Sequence, residues 1–258
     1  MEVPDNCIEG VTVDCDGDPS NGCEVSFQVM DVDPTMSLAA PFRSMVIDPD
    51  GEDDDWTGIP LIGLTVPCGD CGDPFNDNVV TQPGSVPIAS DLLVAFRVSW
   101  DQGNLYLWYQ ASDDDIQDTG TPASRQDGFE LLLDFDNDGW SDEGAHQLFF
   151  SANGDPEETM FGSVSPGLPV AEHVMRATRR TNSCYFLEVS IGAQFTQGNP
   201  GVAAAFAEGM LVGFNIATND HDGGTRQSQI FFKDPGPNYW FAPNNPFGTL
   251  ELVNPGGL

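Results

Sequence analysis

Large apolar side chains recur at every second position in two neighbouring stretches of this chain. From Leu92 to Trp100 the even-numbered residues are apolar, and after the polar turn 101–104 the odd-numbered residues of 105–111 are apolar. A period of two places one set of side chains on one face of an extended strand. Two such runs joined by a Gly-Asn turn predict an antiparallel hairpin, with Trp100 and Trp108 as packing residues.

A third alternating run covers residues 129–135, where Phe or Leu occupies every odd position. The opposite face carries Glu130, Leu132 and Asp134. This pattern predicts a half-buried strand whose odd positions face a core. Glu130, opposite the apolar stripe, is either solvated or part of a functional site.

Shorter runs predict further strands and give the fold class. They lie at residues 25–29, 45–47, 146–151, 168–178, 185–191, 211–218, 228–232 and 248–253. The 211–218 run is apolar on both faces, as a central strand would be, and residues 219–224 are predicted to turn. Residues 203–208 are the one helix-like fragment, and residues 66–87 are predicted to be a loop. Many short strands with little helix predict an all-β fold, an antiparallel β-sandwich of jelly-roll type with calcium-binding loops.

Alternating carboxylates follow the third run. The residues are Asp134, Asp136, Asp138 and the turn residue Gly139. Such spacing brings oxygen ligands together around one hard cation. An EF-hand would also need flanking helices and a glutamate at the twelfth position, where this chain has Ala145. We therefore predict a Ca²⁺ loop at a strand end, completed by Asp142 or Glu143. The alternative is a solvated acidic turn without metal.

Two more aspartate-rich segments have a spacing that suits calcium. One contains Asp14, Asp16 and Asp18, and the other contains Asp48, Asp50 and Asp53 just before Trp56. Crowded carboxylates repel one another unless a cation or water relieves the repulsion. We predict metal ligands in both segments, and a buried packing role for Trp56.

The charge balance excludes two classes of partner. The 258 residues contain 41 acidic and 8 basic side chains, for a formal net charge of -33. Such a surface repels nucleic-acid backbones and anionic lipids, and no apolar run reaches the length of a membrane span. The composition favours an extracellular, secreted or cell-surface protein, and we expect the chain to be a piece of a larger exported one.

Six cysteines suggest a disulfide framework. Cys7, Cys15 and Cys23 lie in a polar segment that cannot pack by itself, so we predict a separate disulfide or calcium spacer at residues 1–24 and a sandwich at 25–258. A loop disulfide is the favoured interpretation of the Cys68 and Cys71 pair, over a redox motif or half of a zinc site. Cys184 is either a buried thiol or the partner of an N-terminal cysteine.

The order of these motifs resembles the family 9 carbohydrate-binding modules and their relatives. The matching pieces are residues 47–56, 98–107, 126–130 with Asp134, 146–149, 185–191, 212–220, Arg226, Trp240 and 247–252. They cover about residues 42–253, and residues 1–24 resemble short spacers of large secreted bacterial proteins.

The resemblance implies a calcium-stabilised β-sandwich that binds cellulose-type or xylan-type polysaccharides or oligosaccharides without cleaving them. In the family, two tryptophans clamp a sugar unit while carboxylate and amide groups bind its hydroxyls. Here Trp240 matches the tryptophan of the last loop, Glu130 the strand acid and Gln147 a downstream amide. Where the second tryptophan belongs, this chain has Ser124 and Arg125. Trp140 and Tyr239 are the candidates for the second aromatic residue of the clamp.

Three other functions compete with sugar binding. A glycosidase would need two carboxylates across a cleft, and so many acids make such pairs uninformative. A haem b domain would use His173 with Met175, or Met160 with Met210, and would be coloured. A calcium-rigidified structural or adhesive module would have lost the sugar site. If calcium is structural, chelation lowers the melting temperature, and an unchanged melt would exclude it.

Overall fold

The structure, a computed structural model, describes thirteen β-strands within part of the chain. The described residues are 37–44, 47, 49–50, 54–64, 79–80, 92–119, 126–137, 145–153, 156–159, 174–193, 205–222, 225–233 and 247–254. The strands are β1 (Ser37–Pro41), β2 (Ile62–Leu64), β3 (Val79–Val80), β4 (Leu92–Trp100), β5 (Asn104–Asp113), β6 (Gly128–Asp134), β7 (Ala145–Ser151), β8 (Pro156–Thr159), β9 (Val174–Arg180), β10 (Cys184–Gly192), β11 (Leu211–Asp222), β12 (Thr225–Phe231) and β13 (Gly248–Val253). A 3₁₀ turn spans Asp54–Trp56. In these residues no helix combines the length and apolar character that crossing a membrane would require.

The strands form two sheets, which confirms the predicted β-sandwich. The small sheet has the order β2-β4-β5-β10-β9, and the large sheet has the order β1-β13-β11-β6-β7-β8. On the large sheet, β12 also pairs with β11, and β3 pairs with β12. All these pairings are antiparallel among the described strands except that of β1 with β13, which is parallel.

The main core lies between the two sheets and is built from the alternating positions. The odd residues of β6 and the even residues of β4 all belong to it. Tyr109 of β5 stacks on Phe129 of β6 with ring centroids 4.3 Å apart, and Phe129 stacks on Phe150 of β7 at 5.0 Å. This aromatic layer crosses from the small sheet to the large one.

A second apolar cluster covers the outer face of the small sheet. Trp56 is fully buried there beside Trp108, and Ile47 and Ile59 belong to the same cluster. Trp100 is also buried, on the core side. The predicted packing roles of Trp56, Trp100 and Trp108 are confirmed.

Strand β11 is the centre of the large sheet. It pairs with β6 along one edge through residues 213–219, and with β13 and then β12 along the other. The central position predicted for residues 211–218 is confirmed. The predicted turn at 219–224 is wrong in its first half, because β11 continues to Asp222 with a bulge between Asp220 and His221. Its polar end stays in the sheet because β12 pairs with it.

Three other expectations need correction. Residues 205–208 contain bends and turns instead of a helix, and Ile47 lies outside any strand. The loop predicted at 66–87 contains the short strand β3, held by pairing with β12. Strand β6 is buried on both faces, not half-buried, because polar side chains of neighbouring strands enclose its second face.

Candidate functional site

The outer face of the large sheet carries buried polar side chains where a sandwich normally exposes them. Glu130 of β6, Gln147 of β7, Asn219 of β11 and Gln229 of β12 are each at most 5% exposed. Their strands are neighbours, and each residue alternates with core positions, so all four lie on the face away from the core. We call these four residues the amide–carboxylate network.

Glu130 is the hub of this network. Its Oε1 accepts hydrogen bonds from Asn219 Nδ2 at 2.8 Å and Gln229 Nε2 at 3.2 Å, and its Oε2 accepts one from Gln147 Nε2 at 2.5 Å. The side-chain Oε1 of Gln147 is buried without a hydrogen-bond partner among the described residues. The Gln147 amide is held in place by Glu130, and its Oε1 can still accept a hydrogen bond. It therefore suits a ligand whose hydroxyl groups donate hydrogen bonds.

The solvated alternative for Glu130 is therefore wrong, since three amides surround its carboxyl group. The structure brings together Glu130 and Gln147, which the resemblance had paired. It adds Asn219 and Gln229, which sequence reasoning missed. No sequence signal identified them, because the pairing that places Asn219 directly opposite Gln229 is a property of the assembled sheet.

Lys233 and Phe247, the described residues that flank segment 234–246 with its Tyr239 and Trp240, are linked to each other and to Asn215 of β11. Asn215 lies two residues from Ala217, the β11 residue opposite Glu130. Its side chain accepts from Lys233 N at 3.0 Å and donates to Lys233 O at 2.9 Å. Lys233 Nζ in turn donates to the backbone oxygen of Phe247. The two flanking residues are thus held together at β11, the strand that pairs with β6 of Glu130.

Many predicted site residues lie outside the described residues. They are Trp240, Tyr239 and Trp140 of the sugar site, and Asp14, Asp16, Asp18, Asp48, Asp53, Asp138 and Asp142 of the metal loops. Of the six cysteines, only Cys184 is described, as a buried residue of β10. The roles assigned to all these residues remain predictions.

The described part of the predicted calcium loop forms a turn. Asp134 is buried and its Oδ1 accepts from Asn137 N at 3.1 Å, while Asp136 is exposed. Asn137 has a φ of 54°, a left-handed conformation that asparagine tolerates well. Asp50, in the 48–56 segment, donates its backbone N–H to Glu188 Oε2 at 2.8 Å. Calcium at either place stays a prediction.

A different group of carboxylates converges at one end of the sandwich. Asp113 ends β5, Asp127 precedes β6 and Asp220 lies in β11, and each is at most 2% exposed. They offer carboxylate oxygens that all lie within 4.8 Å of one another. We call these three residues the carboxylate cluster. Asp114 and Asp222 form a second such group with Asp113, nearer the surface.

The environment of the cluster disfavours ionised carboxylates. Burial raises the pKa of Asp127 to about 9, with the Asp113 carboxylate as the next cause. Burial also raises the pKa of Asp113 to about 7, with further contributions from Asp220 and Asp222. Sequence analysis assigned no role to Asp113. Its odd numbering, in register with Tyr109 and Ala111, was the available sign that it points between the sheets.

Two solved structures of family 9 carbohydrate binding modules from Caldicellulosiruptor kristjanssonii share this fold. The complex with glucose has a TM-score of 0.62 and 18% identity, and covers 84% of this chain and 96% of that chain. The complex with cellotriose has a TM-score of 0.61 and 19% identity, and covers 84% and 94%.

Curated relatives are much longer than this chain. Exoglucanase XynX of Acetivibrio thermocellus is 26% identical over 164 residues, which are 63% of this chain and 14% of the relative. Endo-1,4-beta-xylanase A of Thermotoga neapolitana is 26% identical over 202 residues, 74% of this chain and 17% of the relative. The match thus spans less than a fifth of either relative's length.

The family described as carbohydrate family 9 binding domain-like matches residues 77–255, well over half of the 258 residues. The matched range includes the amide–carboxylate network and the carboxylate cluster. This chain therefore belongs to the carbohydrate family 9 binding domain-like family.

Proposed function

We propose that this domain binds sugars of β-glucan or xylan chains at the outer face of its large sheet, without cleaving them. The observation that carries the proposal is the Glu130-centred network, in which one carboxylate and three amides occupy a single face. Vicinal sugar hydroxyls both donate and accept hydrogen bonds, so carboxylate and amide groups are suited to fix their orientation.

Aromatic stacking supplies the second part of the proposed site. A pyranose ring presents C–H groups that pack on an aromatic face. Trp240 is the proposed platform, with Tyr239 or Trp140 for the opposite face. The contacts among Asn215, Lys233 and Phe247 support this assignment, because they hold the two residues that flank segment 234–246 together at β11, the neighbour of the strand that carries Glu130.

The comparisons support the ligand class. The two structural neighbours are complexes with glucose and with cellotriose, and the curated relatives are named as an exoglucanase and as xylanases. We infer that this domain works as a calcium-stabilised, secreted module of a larger protein that acts on plant-type polysaccharides.

Calorimetric titration tests the proposal. The calcium-loaded chain is titrated with cellobiose, xylobiose, cellotriose and their chain-end-reduced forms, and then Trp240→Ala and Glu130→Gln are compared. We expect each variant to weaken binding at least about tenfold, or about 1.4 kcal/mol. Glu251→Gln removes an exposed carboxylate from β13 and should bind as the wild type does.

Loss of binding to the reduced sugars alone would show that the site recognises the reducing end. An absence of heat with every sugar would contradict the proposal and favour the second candidate, a calcium-rigidified structural or adhesive module. That candidate is supported by Ser124 and Arg125, which stand where the family has its second tryptophan.

A further inference from the structure

Asn153, which follows β7, is an asparagine whose next residue in the chain is a glycine. Asn153 is exposed, whereas Ser151, the last residue of β7, is fully buried. In the 258 residues only Asn21 is also followed by a glycine. A glycine has no Cβ, so other groups can approach its backbone closely. Residues 153–154 are therefore a pair in which the side-chain amide is open to attack by the next backbone nitrogen.

Three contacts hold the side chain and the carbonyl group of Asn153. Ser151 Oγ donates to Asn153 Oδ1 at 2.5 Å, and Asn153 Nδ2 donates to the backbone oxygen of Asp118 at 3.2 Å. The Asp118 oxygen can only accept, so Nδ2 must face it and Oδ1 must face Ser151. The backbone oxygen of Asn153 accepts from Thr178 Oγ1 of β9 at 3.4 Å. Asn153 thus joins the end of β7 in the large sheet to β9 in the small sheet.

The Ser151 hydroxyl lies at the atom where such an attack builds negative charge. Gly154 lies outside the described residues, but its nitrogen is bonded to the carbonyl carbon of Asn153, so its attack on Cγ closes a small, unstrained ring. When this nitrogen loses its proton to hydroxide and bonds to Cγ, an electron pair moves onto Oδ1. A hydrogen-bond donor already directed at that oxygen stabilises the charge, as in an oxyanion hole. Because Asn153 is exposed, hydroxide and water can reach it.

We propose that Asn153 is a self-modification site, at which the side-chain amide becomes a carboxyl group, and that Ser151 promotes the reaction through its hydrogen bond to Oδ1. The bond between the residue 154 nitrogen and Cγ forms, the bond between Cγ and Nδ2 breaks, and ammonia leaves with protons from water. The cyclic imide that results takes up water and opens to aspartate or isoaspartate. In total, water is consumed and ammonia is released. The reaction does not depend on sugar binding.

The product should loosen the junction of the two sheets. An aspartate has no N–H to donate to the backbone oxygen of Asp118, so that contact is lost. Its new negative charge also lies beside Asp118, whose own carboxylate forms an ion pair with Arg180. Isoaspartate reroutes the main chain through the side chain of residue 153 and so displaces the carbonyl oxygen that accepts from Thr178.

Peptide mapping of the full 258-residue chain tests the site. The folded protein is incubated in mildly alkaline buffer, samples are digested with trypsin, and the peptides are sequenced by mass spectrometry. Cleavage after Arg125 and Arg176 gives peptide 126–176, whose asparagines are Asn137 and Asn153. We expect the mass increase of an amide-to-carboxyl change at Asn153, and none at Asn137, which an aspartate follows. An unmodified Asn153 in the folded protein, after the urea-unfolded chain has reacted at the same residue, would overturn the proposal.

Serine variants test the role of the hydrogen bond. Ser151→Ala should slow the folded-state reaction at Asn153 roughly three- to tenfold, and Ser151→Thr, which keeps a hydroxyl, should restore most of the rate. The loss should be smaller than in an enzyme's oxyanion hole, because water can replace the hydroxyl at an exposed residue. Ser190→Ala, at another buried serine, should react as the wild type does, and in urea all these proteins should react alike.

A folded Ser151→Ala protein that reacts as fast as the wild type would equally overturn the proposal. If Ser151→Ala does not fold, the comparison of the folded wild type with the urea-unfolded chain decides alone.

Asn153→Asp reproduces one product and tests its effect on the fold. It should melt about 2–4 °C below the wild type, because it loses the hydrogen bond to the Asp118 oxygen and gains a repelling charge. Asn182→Asp, the same change at an exposed turn residue outside these contacts, should melt as the wild type does. Equal melting temperatures of the two variants would contradict the loosening of the junction.

Discussion

The indole of Trp56 donates its Nε1 hydrogen to Glu188 Oε1 across 2.6 Å, which joins the acidic segment before β2 to β10 of the small sheet. Both side chains are buried, and Glu188 Oε2 also accepts the backbone N–H of Asp50. A carboxyl group enclosed in this way needs its donors, because a buried acceptor left alone keeps its full desolvation cost. The contact gives the buried indole N–H of Trp56 and the buried carboxyl group of Glu188 a hydrogen-bond partner.

Trp56→Phe should therefore destabilise the fold more than the loss of ring area explains. Trp108→Phe is the matched control, since Trp108 lies in the same cluster and its Nε1 has no hydrogen-bond partner in the described structure. We expect Trp56→Phe to lower the free energy of unfolding by about 1–3 kcal/mol more than Trp108→Phe does. Urea unfolding measures the difference, and equal losses would refute the role given to the hydrogen bond.

Lys233→Met should lower the affinity for sugar while changing the stability of the fold only slightly. The lysine, whose pKa is lowered by burial, donates to Phe247 O and so joins the two residues that flank segment 234–246. Methionine keeps an apolar stem but removes the donor. We expect affinity for cellobiose to fall roughly tenfold, or about 1.4 kcal/mol, with a small change in melting temperature.

The control for this experiment is Arg176→Met, an exposed cation on β9 of the other sheet. It should leave affinity unchanged. If both variants bind cellobiose as tightly as the wild type, Lys233 does not position the site.

Gly128→Ala should be strongly destabilising, because no side chain fits at the start of β6. A Cβ there would lie 2.1 Å from the backbone oxygen of Phe150, and the residue has a φ of +155°. The neighbouring strand would have to shift, at a cost of about 3 kcal/mol or more. Gly103→Ala, whose Cβ would meet only Asp101 Oδ1 at 3.4 Å, should cost far less in the same unfolding assay. A small, equal effect of both changes would contradict the packing described here.

Stability should fall above about pH 10 because of the buried tyrosines. Burial raises the pKa of Tyr109 and of Tyr185 far above the usual value near 10. The unfolded chain therefore loses these protons first, and it gains stability relative to the fold as the pH rises through 10. Each tyrosine should contribute a slope of up to about 1.4 kcal/mol per pH unit.

Urea unfolding between about pH 9 and pH 11 measures this slope. Tyr109→Phe keeps the ring that stacks on Phe129 and removes one titrating group, so its slope should be smaller by one tyrosine. An identical slope in the wild type and the variant would show that Tyr109 does not cause the alkaline loss.

Local pattern was sufficient to predict most strands. The hairpin of β4 and β5, the apolar face of β6 and the central place of β11 follow from the alternation of side chains, which depends only on neighbours in sequence. The errors lie where pairing overrides local preference. The polar end of β11 is held in the sheet by β12, and Val79 and Val80 form a strand through their pairing with it.

The sequence by itself determined the fold class, the family and the residue types available for a sugar site, because periodicity and motif order are properties of the chain. Tertiary structure alone decided which polar groups meet. Glu130 meets Asn219 and Gln229 only because β6, β11 and β12 lie side by side in one sheet. Asp113 meets Asp127 and Asp220 only because the two sheets face each other. In both cases the burial that makes the contact important depends on distant residues, which no local pattern encodes.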